Sequence, residues 1–267
     1  MSLGLPYKGS KSSIAKWIID QLPPARTFVD LFAGGCAVTH AAILSGKYEH
    51  FVVNDIIGTP IVFRDAVRGE YNGLSTVLSR ADFFETEDIA LRLLYSFGND
   101  NATFLWGVCE PLKISASKML TAPSLHERRM HYRNFIKELA RYVDSVVEGA
   151  EPKKHIDKVQ SAEGLERLER LHIMVSDYRC VNLPADAVVY ADPPYRKTGE
   201  HYGGFDFEAF DRWLGAVDHQ VYVSEYDAPA GCVCIAERER FDHMAAFGAS
   251  KKVERLFTQE RYGGRVR

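Results

Sequence analysis

The spacing of apolar residues changes period several times along the chain. Over residues 12–22, Ile14, Trp17, Ile18 and Leu22 recur at helical spacing, and Pro23-Pro24 stops that helix. Residues 27–31 and 50–54 are short apolar and β-branched runs ending in turn formers, which predicts strands. Residues 37–45 between them predict a helix closed by Gly46. Strand, glycine turn, helix and strand make a βαβ unit. From about residue 61 to 171 the pattern is amphipathic, with helices predicted over 127–147 and 162–172 and a polar irregular stretch over 98–103. Strand patterns return at 187–191, 220–224, 231–236 and 252–257, with a helix over 207–217. The expected organisation is one α/β domain, residues 1–60 and 172–267, split by a mostly helical insertion over 61–171.

Composition narrows the class. The chain has 267 residues, 46% hydrophobic and 26% charged, which is ordinary for a folded globular protein. No uncharged apolar run approaches the ~20 residues that span a bilayer, so no membrane partner is expected. The N-terminus lacks the apolar stretch of a signal peptide. The five cysteines are odd in number and fit no zinc spacing, so a reduced, cytoplasmic protein without a bound metal is expected. Trp17 and Trp213 lie on apolar helix faces and are expected in the core, with Trp106 as a buried anchor of the insertion.

The net charge of −3 argues weakly against a nucleic-acid partner, but the charge is unevenly placed. Between residues 113 and 141 stand Lys113, Lys118, Arg128, Arg129, Arg133, Lys137 and Arg141, against only Glu127 and Glu138. Such a stretch suits a phosphate-facing surface, and equally a solvated helix face.

Two local features carry chemistry. Phe32-Ala33-Gly34-Gly35 follows a predicted strand and opens a helix, where glycine lets a cofactor approach the backbone. Asp55, about twenty residues on, ends the next strand, where an acid can accept ribose hydroxyls. Together these point to an adenosine-containing cofactor, NAD and S-adenosylmethionine alike.

The second feature is Asp192-Pro193-Pro194-Tyr195, just past the predicted strand 187–191. The prolines hold the backbone extended and lack N–H groups, leaving their carbonyls free to accept. Asp192 adds a carboxylate acceptor and Tyr195 an aromatic face. An aryl amine is a poor nucleophile because its lone pair is delocalised into the ring. Acceptors fixed on its N–H bonds localise that pair and stabilise the positive charge that develops on nitrogen. An aromatic face can hold a base extruded from a duplex. The glycine-rich segment 196–204 reads as a loop that closes on DNA, with Arg196 and Lys197 near phosphate.

In this order the motifs resemble the Dam-like (D12 class) family of DNA adenine-N6 methyltransferases, and the resemblance covers most of the chain. Tyr7-Lys8-Gly9-Ser10-Lys11 is similar to the family's N-terminal aromatic–Gly–x–Lys segment, which implies that Tyr7 and Lys11 lie near the cofactor. Asp30-Leu31-Phe32-Ala33-Gly34 matches its Phe-x-Gly motif, and Asn54-Asp55-Ile56 its ribose-binding acid. Ser176-Asp177-Tyr178 matches the segment whose acid meets the cofactor adenine. Val223-Ser224-Glu225-Tyr226 resembles a later strand that walls the active site. The chain departs at Cys36, where the family commonly has glycine, so the cofactor loop is expected to be shaped differently.

The resemblance implies a Rossmann-like methyltransferase sheet with a helical target-recognition insertion. It implies transfer of a methyl group from S-adenosylmethionine to adenine N6 in a specific double-stranded DNA sequence, with base flipping. Arg128, Arg129 and Arg133 are the candidate phosphate contacts in the insertion. Cytosine-N4 methylation by the same chemistry stays open, as does a non-catalytic DNA-binding module on this fold. A cognate restriction endonuclease cannot be inferred.

Overall fold

A computed structural model describes residues 3–5, 7–71, 80–96, 101–104, 118–119, 121–147, 170–196, 204–242 and 250–263. The chain divides into two compact units: residues 1–4, 11–61 and 163–267 form the first, and 5–10 with 62–162 the second.

In the first unit α1 (Ala15–Gln21), β1 (Thr27–Asp30), α2 (Ala37–Ser45) and β2 (His50–Asn54) follow the predicted order. After β3 (Leu171–Met174) come β4 (Ala187–Ala191), α7 (Phe207–Ala216), β5 (Val221–Glu225), β6 (Cys232–Asp242), β7 (Ser250–Gln259) and a short α8 (Glu260–Gly263). The seven strands form one sheet ordered β3-β2-β1-β4-β5-β7-β6. Neighbours from β3 through β5 pair in parallel, while β7 runs antiparallel to both β5 and β6. This mostly parallel sheet with helices is the expected Rossmann-like α/β architecture.

The core follows from the strand sequences. The all-apolar centres of β4 and β5 are buried on both faces, as strands of a covered parallel sheet must be. Val29, Leu31, Val189, Ala191, Val221, Val223 and Phe257 pack with Phe210 and Leu214 from α7. Each of these large side chains contributes roughly 1.5–3 kcal/mol by leaving water. Asp206 starts α7 by accepting from Ala209 N at 2.8 Å. Trp213 packs half-buried against this cluster, and Trp17 is half-buried.

The helix expected over 162–172 is corrected at its end. Leu171 and His172 belong to β3, which pairs with Phe51–Asn54 of β2; residues 162–169 lie outside the described residues. A four-residue apolar run carries no decisive period, so its partner decides its state. The strands predicted at 231–236 and 252–257 are longer than expected. Their ladder runs on through Glu237, Arg238, Glu239 and Arg240, which look too charged for a strand, with an irregularity between Cys234 and Ala236.

The second unit contains α4 (Arg80–Glu85), α5 (Ile89–Leu94) and the long α6 (Leu125–Val147), while α3 (Thr59–Val67) spans the sequence boundary between the units. Phe83 is fully buried, with Phe84 and Phe104 against it. At the start of α6, Ser124 and Glu127 form a reciprocal capping box: Glu127 N donates to Ser124 Oγ, and Ser124 N to Glu127 Oε2, both at 3.2 Å. Trp106 lies outside the described residues. Among the described residues no helix is long and apolar enough to cross a membrane.

Candidate active site

The strand order reverses between β1 and β4, the place where open α/β sheets bind ligands at their strand carboxyl ends. Asp30 is the register partner of Tyr190, and Leu31 N donates to Tyr190 O at 3.0 Å. The glycine turn after β1 and the tetrad after β4 therefore leave the sheet side by side.

Asp55 fastens the glycine turn. Its Oδ2 accepts from Gly34 N and its Oδ1 from Ile57 N, both at 2.9 Å. Thr59 Oγ1 donates to Gly34 O at 2.5 Å. Gly34 has φ of 48° and Cys36 has φ of 60°, left-handed values that cost a non-glycine residue about 1–2 kcal/mol. Cys36 takes up a left-handed conformation although it is not glycine. Gly4 also approaches this turn: its N donates to His40 Nδ1 at 3.1 Å, and a Cβ there would lie 2.3 Å from Gly35 O.

Asn54 braces three strand ends. Its Nδ2 donates to Leu31 O and Ser176 O, each at 3.0 Å, while its Oδ1 accepts from Ser176 N at 3.1 Å. In the sequence Asn54 stands at the end of a strand and opens the Asn54-Asp55-Ile56 segment, with no sign of this bracing role. Its partner Ser176 lies 122 residues away.

Asp30 is 1% exposed, and its Oδ2 accepts from Thr39 Oγ1 at 2.7 Å. Its Oδ1 has no hydrogen-bond partner among the described residues. Burial, opposed by the Thr39 bond and reinforced by Asp192 and Asp55, pushes this carboxyl up to about 7. Burial likewise raises Asp55, against its two backbone donors. The folded protein thus holds a proton on Asp30 that the unfolded chain releases. Stability from this site falls as pH rises from the ordinary carboxylate range to about 7. A cation placed there reverses the balance by favouring the ionised acid.

Asp192 meets Lys11, whose Nζ is 3.0 Å from Asp192 Oδ1. Burial pushes the Asp192 carboxyl up to about 6, opposed by the Lys11 ammonium and reinforced by Glu254. The same ammonium stands 4.4 Å from the centroid of the Tyr195 ring. Tyr195 is 7% exposed, meets Tyr226 edge-on at 4.5 Å, and donates its hydroxyl to Glu254 Oε2 at 2.9 Å. A base can stack on Tyr195 only after a neighbour withdraws. Glu225 clasps the following turn, accepting from Arg196 N at 3.1 Å and Tyr226 N at 2.7 Å. Neither Glu225's bond to Arg196 nor Glu254's to Tyr195 was legible in the sequence, because the partners stand 29 and 59 residues apart.

Phe32 packs with Tyr178 at 5.2 Å, inside an aromatic cluster with Phe205, Phe210 and Trp213. Asp177 is held by its near neighbour: Arg179 donates Nε to Oδ1 at 2.8 Å and Nη2 to Oδ2 at 2.7 Å, keeping this carboxyl low.

The predicted basic residues differ in their engagement. Arg196 pairs with Asp211 at 2.5 Å and lies over the Phe207 ring, while Lys197 is outside the described residues. In the second unit, Arg128 Nε donates to Ala122 O at 2.9 Å, whereas Arg129 and Arg133 are exposed on α6. Tyr7 also belongs to the second unit, accepting from Ser10 N at 3.0 Å.

Lys11, Asp30, Gly34, Asp55 and the tetrad thus converge on one edge of the sheet. Three acidic side chains with one ammonium suit a cationic ligand, which would draw the proton off Asp30. The donor set fits S-adenosylmethionine, which carries an ammonium and a sulfonium. Compared with known proteins, residues 7–216 match the family model described as D12 class N6 adenine-specific DNA methyltransferase, well over half of the chain. No curated protein matches the chain.

Proposed function

Because the chain belongs to the D12 class N6 adenine-specific DNA methyltransferase family, we propose that Asp192, Pro193, Pro194 and Tyr195 carry out its chemistry at the edge between β1 and β4. The enzyme methylates adenine N6 in DNA, with S-adenosylmethionine as the methyl donor. The observation that carries the residue assignment is the convergence of Lys11, Asp192 and Tyr195: an ammonium lies 3.0 Å from the carboxylate and 4.4 Å from the ring centroid. A group that hydrogen-bonds Asp192 while facing Tyr195 is what an adenine amine has to become.

Asp192 in its ionised form accepts an N–H of the target amine, and the proline-fixed carbonyls beside it are further acceptors. This localises the nitrogen lone pair and stabilises the charge that develops there. Asp192 needs no strong basicity, since the proton can leave after transfer. Lys11 holds the site charge-balanced until the base enters and moves aside as Tyr195 takes the ring. When bound, S-adenosylmethionine supplies an electrophilic methyl group. Asp30 and Asp55 would hold it by its cationic and ribose parts, Gly34 would give it room, and Phe32, Asp177 and Tyr178 would complete its surroundings.

Residues 1–60 and 172–267 are then the catalytic domain and 61–171 the target-recognition insertion, a reading supported by the two compact units. The insertion engages double-stranded DNA at a specific sequence, with Arg128, Arg129 and Arg133 on phosphates and Arg196 and Lys197 beside the flipped base. Free thiols at Cys36, Cys180, Cys232 and Cys234 support a reduced, cytoplasmic setting.

The pH profile tests this reading. Asp192 must be ionised to accept, so kcat/KM for DNA, taken at limiting DNA, is full well above pH 6 and falls about tenfold per pH unit below about 6. Lys11→Met removes the ammonium that opposes burial, so the acid limb moves to higher pH whatever happens to the maximum rate. Asp30 acts separately: the cofactor KM rises as pH falls through about 7, because the protonated acid gives up its attraction for a cation. Initial rates over about pH 5 to 8.5 at saturating and limiting cofactor resolve both effects. An acid limb unmoved by Lys11→Met counts against the assignment.

A further inference from the structure

Glu254 stands outside every motif singled out in the sequence and beyond the residues 7–216 that match the family. It lies on β7 next to Arg255, the register partner of Glu225, and opposite Arg238 on β6. Its side chain is 2% exposed. Burying a carboxylate is unfavourable unless its lone pairs meet donors, so its position needs a reason. Packing alone would be served by an apolar residue.

The Tyr195 hydroxyl donates to Glu254 Oε2 at 2.9 Å. A carboxylate acceptor makes this bond charge-assisted and stronger than one to a neutral group. The hydroxyl lies on the long axis of the ring, so the bond fixes where that axis points. Lys11 over the ring and Tyr226 at its edge set the plane. Glu254 is also close enough to Asp192 to oppose its ionisation. One side chain thus bonds Tyr195 and bears electrostatically on Asp192, and it comes from a strand 59 residues further along the chain.

We infer that Glu254 is a positioning residue for methyl transfer: it anchors the hydroxyl end of Tyr195, so that the ring keeps its place beside Asp192 when Lys11 withdraws and a base enters. This rests on the reading of Asp192 to Tyr195 as the catalytic centre. Lys11 is the mobile contact on the ring and Glu254 the fixed one.

The test is a double-mutant cycle on methyl incorporation into mixed-sequence genomic DNA, using Glu254→Leu, Glu254→Gln and Tyr195→Phe. Glu254→Leu is expected to lower kcat about tenfold with the cofactor KM changed less than about twofold. Glu254→Gln keeps an acceptor oxygen and restores most of that loss. In the Tyr195→Phe background, which has no hydroxyl to anchor, Glu254→Leu adds little. Equal losses in both backgrounds overturn the proposal, because Glu254 would then act by packing alone. If the leucine variant fails to fold, Glu254→Ala takes its place in the cycle, with the same two outcomes. Asp192→Ala is measured alongside. Activity in that variant removes the catalytic centre itself, whereas its inactivity with an additive cycle removes only the role of Glu254.

Discussion

Asp192→Ala is expected to lower kcat by about a thousandfold or more while cofactor affinity changes less than about threefold. The first number follows from the removal of the one charged acceptor placed after β4, where positive charge develops on the amine. A thousandfold corresponds to about 4 kcal/mol of transition-state stabilisation. The second number follows from the division of labour among the carboxylates. Asp30 and Asp55 belong to the glycine-turn side, and both remain. The substitution also takes a carboxylate at 3.0 Å away from the Lys11 ammonium, whose side chain is 8% exposed, so some stability is lost as well. Asp192→Asn separates these effects, since it keeps an acceptor but removes the charge. Single-turnover methyl transfer and calorimetric cofactor binding give the two quantities independently. Chemistry recovered at saturating cofactor would remove Asp192 from the catalytic role.

Asp55→Ala has the next largest effect and the opposite profile: cofactor affinity falls about tenfold to a hundredfold, with a smaller change in kcat. Asp55 holds Gly34 N and Ile57 N by separate oxygens, each at 2.9 Å. Hydrogen bonds to a charged group contribute roughly 1.5–3 kcal/mol apiece. Burial of the carboxylate offsets part of that, as its raised pKa records, so a net stability loss of about 2 kcal/mol is expected. The turn then loses its tie to the end of β2 just where Gly34 must keep a left-handed φ. Ribose binding suffers twice, by loss of the acceptor and by slackening of the turn. Asp55→Asn, able to accept only through one oxygen, falls between. Cofactor titration by calorimetry with parallel thermal unfolding measures both effects. Unchanged affinity with lowered stability would make Asp55 a brace of the turn only.

The two substitutions differ in how far their roles could be read without a structure. The glycine turn, Asp55 and the tetrad stand beside short strands whose patterns are local, and β1, α2, β2 and β4 form where the pattern placed them. β3 was misread because four residues carry too little period, and it becomes a strand through its pairing with β2. The engagements of the site are non-local in the same way. Lys11 reaches Asp192 across most of the chain, Glu254 reaches Tyr195 from β7, and Asn54 is tied to Ser176. No spacing rule links such pairs. The burial of Tyr195 was equally hidden, since its sequence neighbours suggest an open face and its cover comes from Lys11 and Tyr226. Asp177 shows the converse, a local contact that sequence leaves open: Arg179, two positions on, holds the acid that the resemblance assigns to the cofactor.

The chemistry assigned to the strand ends of β1 and β4 is methylation of the amino group of adenine in DNA. Incubating the protein with unmethylated genomic DNA and isotopically labelled S-adenosylmethionine, digesting the DNA to nucleosides and weighing them tests it most directly. Label is expected in N6-methyldeoxyadenosine, and none when Asp192→Ala replaces the protein. Label in N4-methyldeoxycytidine, or equal labelling by the Asp192→Ala variant, would contradict it.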